Sequence, residues 1–243
     1  MDGDSRYRLN PALDEDAASQ AFRRKGRLHL PAFLVEEDAA RLHRFLKESE
    51  AWKLVVNQKE KLFELDRSAQ AALSPDQKRA FDTAVHAEAR RSFQFLFESI
   101  RVPDEETERR SADSELTRFA SFLSSEPVIA LLRRITGLGG IDFADAQATA
   151  YGLGHFLTRH DDAVAGKNRL AAYVFNLTPK WHVDWGGLLI FHAADGHVEE
   201  AFTPAFNALN IFAVPQLHSV SFVTPFAASR RYSVTGWLRS RAP

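Results

Sequence analysis

Within Tyr151 to Asp162, YGLGHFLTRHDD, His160 and Asp162 set an imidazole and a carboxylate two positions apart. Residues at i and i+2 of an extended strand share a face, so this pair is expected to supply half of a metal site from one strand. The other half needs a second histidine from a distant strand. His218 qualifies, because it lies in VPQLHSVSFV, a stretch that alternates as strands do. Two histidines and one carboxylate occupy one face of an octahedron and leave the opposite positions open, which suits Fe(II) and chemistry with oxygen. A second His-x-Asp, His182-Val183-Asp184 in KWHVDWGG, runs straight into Gly186-Gly187 and is expected in a turn instead.

No cysteine occurs among the 243 residues. That removes disulfides, cysteine nucleophiles and thiolate ligands, and confines any metal to nitrogen and oxygen donors. Hydrophobic residues make up 45% and charged residues 26%, the balance of an ordinary soluble globular chain. With a formal net charge of -1, neither a nucleic-acid partner nor electrostatic attachment to a membrane is indicated. The first twenty residues carry no apolar core of signal-peptide length, and no later apolar run reaches the roughly 18 residues that span a bilayer. A cytoplasmic protein is expected.

The elements that must hold these residues fall into two halves. After a polar, loose start, Asn10-Pro11 is expected to open a short helix that Gly26 stops, followed by a strand from Arg27 to Leu30. Leu34, Ala39, Leu42, Phe45 and Leu46 then form the apolar stripe of a second helix, and Trp52 to Val56 reads as a strand. Ser74, Pro75 and Gln77 compose a capped helix start, and the apolar positions from Phe81 to Ile100 predict one long helix behind it. Residues 101–114 are charged and read as a surface loop or a lid. Val128 to Ile135 form a helix behind Pro127, ended by Gly137. From Ile141 the texture changes to short apolar runs, ADAQATAY, RLAAYVFNL, GGLLIF, ALNIFAV, LHSVSFV and RYSVTGWL, which predict a sandwich or jelly roll. A single domain over 1–243 is expected, with 1–140 mainly a helical support region and 141–243 the core that carries the metal residues.

In this order and spacing, Tyr151 to Leu238 resembles the prolyl 4-hydroxylase-like branch of the Fe(II)/2-oxoglutarate dioxygenases. The matching features are a tyrosine and glycines before the His-x-Asp, an arginine-led strand from Arg169 to Leu177, Trp181 followed by Gly186-Gly187, then His218 and RYSVTGW. The resemblance implies an α+β fold, a double-stranded β-helix (jelly-roll) core with N-terminal supporting helices. It implies Fe(II) held by His160, Asp162 and His218, 2-oxoglutarate and O2 as cosubstrates, and stimulation by ascorbate. It also implies a basic residue that holds the distal carboxylate of 2-oxoglutarate, here Arg231. Alternation along RRYSVTGWL supports that choice. Arg231, Ser233, Thr235 and Trp237 share one face while Arg230 points to the other, as a surface charge, and a buried guanidinium calls for a planar anion. By the same resemblance Asn176 stands where relatives have a tyrosine on that carboxylate, Tyr151 lines the cofactor pocket, and Trp237 and His155 face substrate; Ser233, on the face of Arg231, brings a hydroxyl able to assist the carboxylate.

The implied activity is hydroxylation of an unactivated C–H bond, foremost in a prolyl residue of a protein or peptide. The intact carboxylate at Asp162 argues against halogenation. Hydroxylation of a free amino acid or other small molecule, and an iron- and 2-oxoglutarate-binding sensor without turnover, stay open as alternatives. Oligomeric state is not legible.

Overall fold

The computed structural model describes residues 7–241. Among the described residues there are seven α-helices: α1 Glu15–Lys25, α2 Glu36–Glu48, α3 Arg67–Ala71, α4 Pro75–Ala89, α5 Glu106–Ala112, α6 Glu115–Leu123 and α7 Glu126–Thr136. Thirteen strands accompany them: β1 Arg27–Leu30, β2 Lys53–Gln58, β3 Lys61–Asp66, β4 Phe95–Arg101, β5 Phe143–Ala144, β6 Gln147–Tyr151, β7 Phe156–His160, β8 Arg169–Asn176, β9 Leu189–His192, β10 Val198–Phe202, β11 Ala208–Ala213, β12 His218–Val220 and β13 Arg231–Arg239. None of the described helices is long and apolar enough to cross a membrane.

The strands follow the order β1-β11-β8-β13-β6-β4-β7-β12-β9-β10, with β2 joined to β4, β3 to β2 and β5 to β13. The two ends of that order meet. Arg27 of β1 pairs with Glu199 and Glu200 of β10 at 2.9 and 2.6 Å, and the rings of His29 and Phe202 lie 5.7 Å apart. Side-chain contacts between the ends make the antiparallel sheet a rolled one, the expected jelly roll.

Period-two patterning decides which side chains face the interior of the roll. In β8, Ala171, Tyr173 and Phe175 turn outward into a core shared with the helices, where Phe175 stacks on Phe119 of α6 at 5.2 Å. Ala172 and Val174 turn inward against Leu189, Phe191 and Phe212. In β13, Tyr232, Val234 and Leu238 join the outer core, which leaves the odd-numbered residues for the inside.

Helix signals held where caps were explicit. Ser74 and Gln77 form the reciprocal capping box of α4, and Gly26 and Gly137 end α1 and α7 in the left-handed conformation that glycine adopts freely. Asp14, not Asn10, caps α1.

Four expectations fail. The long helix behind Ser74 stops at Ala89, and Phe95–Arg101 is a strand between β6 and β7. Phe93, Phe95 and Phe97 recur at period two while Leu96 and Glu98 are buried from the other side, so the segment has no solvent-facing side to mark a period of two and also satisfies a helical period. Residues 101–114 are not a loose loop, since α5 occupies their centre. Its buried Arg109 donates to the carbonyls of Pro103, Ala120 and Ala144 at 2.7 to 3.3 Å, which ties the segment down. The helical support region contains four strands of the sheet, of which β1 and β2 were expected, whereas the strands β3 and β10 and the helices α3 and α6 were not anticipated. The start is anchored from Tyr7, which is buried, and Arg8, whose guanidinium meets Asp38 at 3.1 Å; residues 1–6 lie outside the described residues.

Candidate metal centre and its cavity

His160 ends β7 and His218 opens β12, directly opposite each other in register, with ring centroids 4.1 Å apart. The Nδ1 of His160 lies 3.0 Å from the carbonyl of Thr158, and that of His218 lies 2.8 Å from the carbonyl of Gln216. A carbonyl accepts only from an N–H, so both rings carry their proton on Nδ1 and present a bare Nε2. Each Nε2 faces the Asp162 carboxylate at 3.4 Å, and the three donor atoms lie within 4.8 Å of one another.

Asp162 reaches this point by a route that strand alternation does not describe. β7 ends at His160, and Asp162 takes a left-handed backbone with φ 65°. That conformation is uncommon outside glycine and asks for support from its surroundings. Arg169, leading β8, donates from Nη1 to the Asp162 carbonyl at 3.0 Å, and its guanidinium carbon lies over the Trp237 ring, 3.4 Å from the centroid. The expected shared face of an extended strand is therefore replaced by a turn clamped from the neighbouring strand.

Burial pushes the His218 imidazole down to about 4, helped by the nearby His160. For Asp162, burial raises the carboxyl, but its close contacts with His160 and His218 outweigh that and hold the group below its usual range. A neutral imidazole at His218 and an anion at Asp162 are the protonation states in which these groups bind a divalent metal.

The centre opens into a cavity of about 550 Å³. One wall is an aromatic run: Phe93, exposed at the mouth, then Phe95, Phe97 and Tyr151, at successive centroid separations of 5.7, 5.3 and 5.2 Å. Arg231 lies at the inner end, 1% exposed. Its Nη1 donates to the Gly187 carbonyl at 2.8 Å, its Nη2 approaches the Asn176 Oδ1 at 3.5 Å, and its guanidinium faces the Tyr151 ring at 5.3 Å. Nε is buried with no partner. Burial pulls the Arg231 guanidinium down to about 10. A desolvated cation in that state accommodates an anionic ligand readily.

Gly186 and Gly187 shape the wall behind it. A Cβ on Gly186, at φ 70°, would lie 2.0 Å from the Phe222 carbonyl oxygen, and one on Gly187 would press Trp181 and Val223 at 3.2 and 3.3 Å. Only glycine fits at Gly186, which frees Gly187 to turn its carbonyl to Arg231.

Of the other residues singled out from the sequence, Tyr151, Ser233 and Trp237 line the cavity. The Ser233 hydroxyl is 2.9 Å from that of Thr149. Three expectations need correction. Asn176 directs its amide N–H groups to the carbonyls of Val174 and Ala208 and only its oxygen to Arg231, so it braces the arginine and offers a cofactor no donor. His155 does not line the cavity; its Nδ1 accepts from the Gly152 N–H inside the same turn. Arg230 is not an idle surface charge, because it pairs with Glu98, a carboxylate only 2% exposed in its side chain. His182 and Asp184 are exposed around the 3-10 turn Val183–Trp185. Sequence reasoning gave no role to Arg169 or to Phe93, Phe95 and Phe97. A charged residue heading an otherwise apolar strand, and the period-two spacing of FQFLF, were the available signals.

Residues 146–239 match the family model described as the 2OG-Fe(II) oxygenase superfamily. Over 122 residues, 47% of this chain, the sequence is 30% identical to the mouse (Mus musculus) prolyl 3-hydroxylase OGFOD1, and the match spans 22% of that relative's length. Among solved structures, a Pseudomonas putida prolyl-4-hydroxylase superposes with a TM-score of 0.59 at 18% identity, covering 94% of this chain and all of the other. A Burkholderia pseudomallei oxidoreductase of the 2OG-Fe(II) oxygenase family gives 0.61 at 14% identity over 95% and 92%. A Trichoplax adhaerens prolyl hydroxylase, solved with a peptide of the hypoxia inducible factor, gives 0.60 at 16% over 93% and 89%. At these identities the structural likeness establishes the jelly-roll fold.

Proposed function

We propose that the chain, whose residues 146–239 match the model of the 2OG-Fe(II) oxygenase superfamily, is an Fe(II)- and 2-oxoglutarate-dependent dioxygenase that hydroxylates a prolyl residue of a protein or peptide. The observation that carries the reading is the pairing, in one cavity, of three convergent ligand atoms with a buried arginine whose Nε has no partner. His160, Asp162 and His218 hold the metal, each imidazole kept in its tautomer by a backbone carbonyl. Arg231 takes the distal carboxylate of 2-oxoglutarate, with the Ser233 hydroxyl beside it and Asn176 bracing the guanidinium. When bound, iron and 2-oxoglutarate supply the oxygen chemistry that hydroxylates the substrate while 2-oxoglutarate is decarboxylated to succinate. The aromatic wall keeps that chemistry from bulk water and offers flat apolar faces to a substrate ring, with Phe93 at the mouth.

The same reading takes a peptide, not nucleic acid or membrane, as partner, in the cytoplasm; the absence of cysteine is compatible with that setting. The test is succinate formation from 2-oxoglutarate with Fe(II) and an array of proline-containing peptides, against free proline and other amino acids. Peptide-dependent turnover with a mass gain of one oxygen on proline is expected. Turnover with free amino acids alone would move the assignment to a small-molecule hydroxylase, and binding without any turnover to a sensor. His218→Ala should abolish stoichiometric metal binding, whereas His182→Ala should not.

A further inference from the structure

The carbonyl that orients His160 sits at a gap between two ladders. On the β4 side the pairing runs Leu96 to Phe156 and Phe95 to Leu157, and the next pair would be Gln94 with Thr158. On the β12 side the register shifts between His218, opposite His160, and Val220, opposite Leu157, so Thr158 and Arg159 face a bulge.

At the Gln94 position half of the ladder pair is made. The Thr158 N–H donates to the Gln94 carbonyl at 2.9 Å. A hydrogen-bonded antiparallel pair exchanges two such bonds, yet the Gln94 N–H donates to the Thr158 side-chain Oγ1 at 2.8 Å in place of the Thr158 carbonyl. That carbonyl is left to accept from His160 Nδ1 at 3.0 Å. Gln94 is itself fixed: it is 1% exposed, and its Nε2 donates to the Asn57 carbonyl at 2.7 Å.

Resting on the proposed iron site, we infer that Thr158 is a positioning residue, whose hydroxyl substitutes for its own carbonyl in the β4–β7 ladder and thereby reserves that carbonyl for His160. Without the hydroxyl, the Gln94 N–H has one alternative acceptor, the Thr158 carbonyl, and the two donors compete for it. The His160 ring then loses its fixed tautomer and angle.

The experiment compares wild type, Thr158→Val and Thr158→Ser as full-length proteins titrated with Co(II), by calorimetry and by the visible absorption of the bound ion. Valine keeps shape and strand preference but removes the acceptor; serine restores it. Loss of an orienting partner of a metal-bound histidine typically weakens binding by about 10- to 100-fold, so a Kd change in that range with an altered spectrum is expected for valine, and recovery to within about threefold for serine. Equal affinity and an unchanged spectrum for Thr158→Val overturn the inference. So does equal weakening in both variants, since serine keeps the hydroxyl and should then have retained affinity. Should the valine variant not fold, Thr158→Ala removes the same acceptor and is read the same way. Failure of wild type to bind Co(II) at all counts against the proposed iron site itself, and is thereby distinguishable.

Discussion

Arg231 is the residue on which the cofactor assignment turns. Its guanidinium is buried, held by one carbonyl and one amide oxygen, and leaves Nε without a partner. Hydrogen bonds to charged groups are worth about 1.5–3 kcal/mol and a bidentate pair offers two. Arg231→Ala should therefore weaken 2-oxoglutarate about tenfold to several hundredfold, measured by calorimetry on the Mn(II)-loaded protein, while Mn(II) affinity stays as it was. Unchanged 2-oxoglutarate affinity would disprove the clamp. His155 carries a different prediction, on stability. Burial pushes its imidazole down to about 4, and its Nδ1 must stay unprotonated to accept from Gly152. The unfolded chain takes up this proton as pH falls through about 6.5 and the folded chain only near 4, so stability falls between those values, by up to about 1.4 kcal/mol per pH unit. Urea midpoints at pH 7, 6 and 5 should converge less steeply in His155→Leu than in wild type; parallel slopes would refute it. The metal residues were legible because their types are chemically restricted. The loss of His155 and Asn176 as pocket residues was not, because a hydrogen bond to a nearby backbone group redirects a side chain without changing any spacing.

At the scale of elements, β4 shows why helix was the wrong reading. Leu96 packs with Leu54 and Phe156 on one face and Phe95 and Phe97 with Tyr151 and Val220 on the other, and a run buried on both faces does not declare its period. The same strand turns Glu98 outward beneath Arg230, with Arg67 more distant at 3.9 Å. Arg230→Ala should destabilise the protein by about 1–3 kcal/mol, the usual penalty for a buried group left without its partner, and not be silent as a surface substitution would be. Thermal or urea unfolding measures this, and Glu98→Gln in the same chain should recover part of the loss. If the single substitution has no effect, Arg67 alone satisfies Glu98. Alternation along β13 was readable in advance because it is one long strand whose faces differ, with Arg231, Ser233 and Trp237 inward and Tyr232, Val234 and Leu238 outward.

At the scale of the molecule, the N-terminal half is part of the sheet. β4 bridges β6 and β7, the strand that ends in His160, and β1 extends the sheet beyond β11 while its Arg27 reaches the far strand β10. A truncated chain of residues 141–243 is thus expected to remain unfolded, with no cooperative thermal transition by circular dichroism and no stoichiometric Co(II) binding. A folded, metal-binding fragment would show that the two halves are separable and that a single domain over the whole chain is the wrong description.

The sequence by itself determined the candidates for chemistry: the absence of cysteine confined any ligands to nitrogen and oxygen, His-x-Asp and a distant histidine named the three residues whose ligand atoms converge, and alternation selected Arg231 over Arg230 as the inward arginine. It also determined the strand-rich second half, since short apolar runs between turn signals admit few folds. Tertiary structure alone decided how Asp162 reaches the histidines, because a left-handed turn braced by Arg169 depends on a strand that begins seven residues later. It alone decided that Phe93 to Phe97 wall the cavity, since burial on both faces erases the periodicity that would reveal a strand, and that a threonine hydroxyl stands in for its own carbonyl, which only the register of two ladders can arrange.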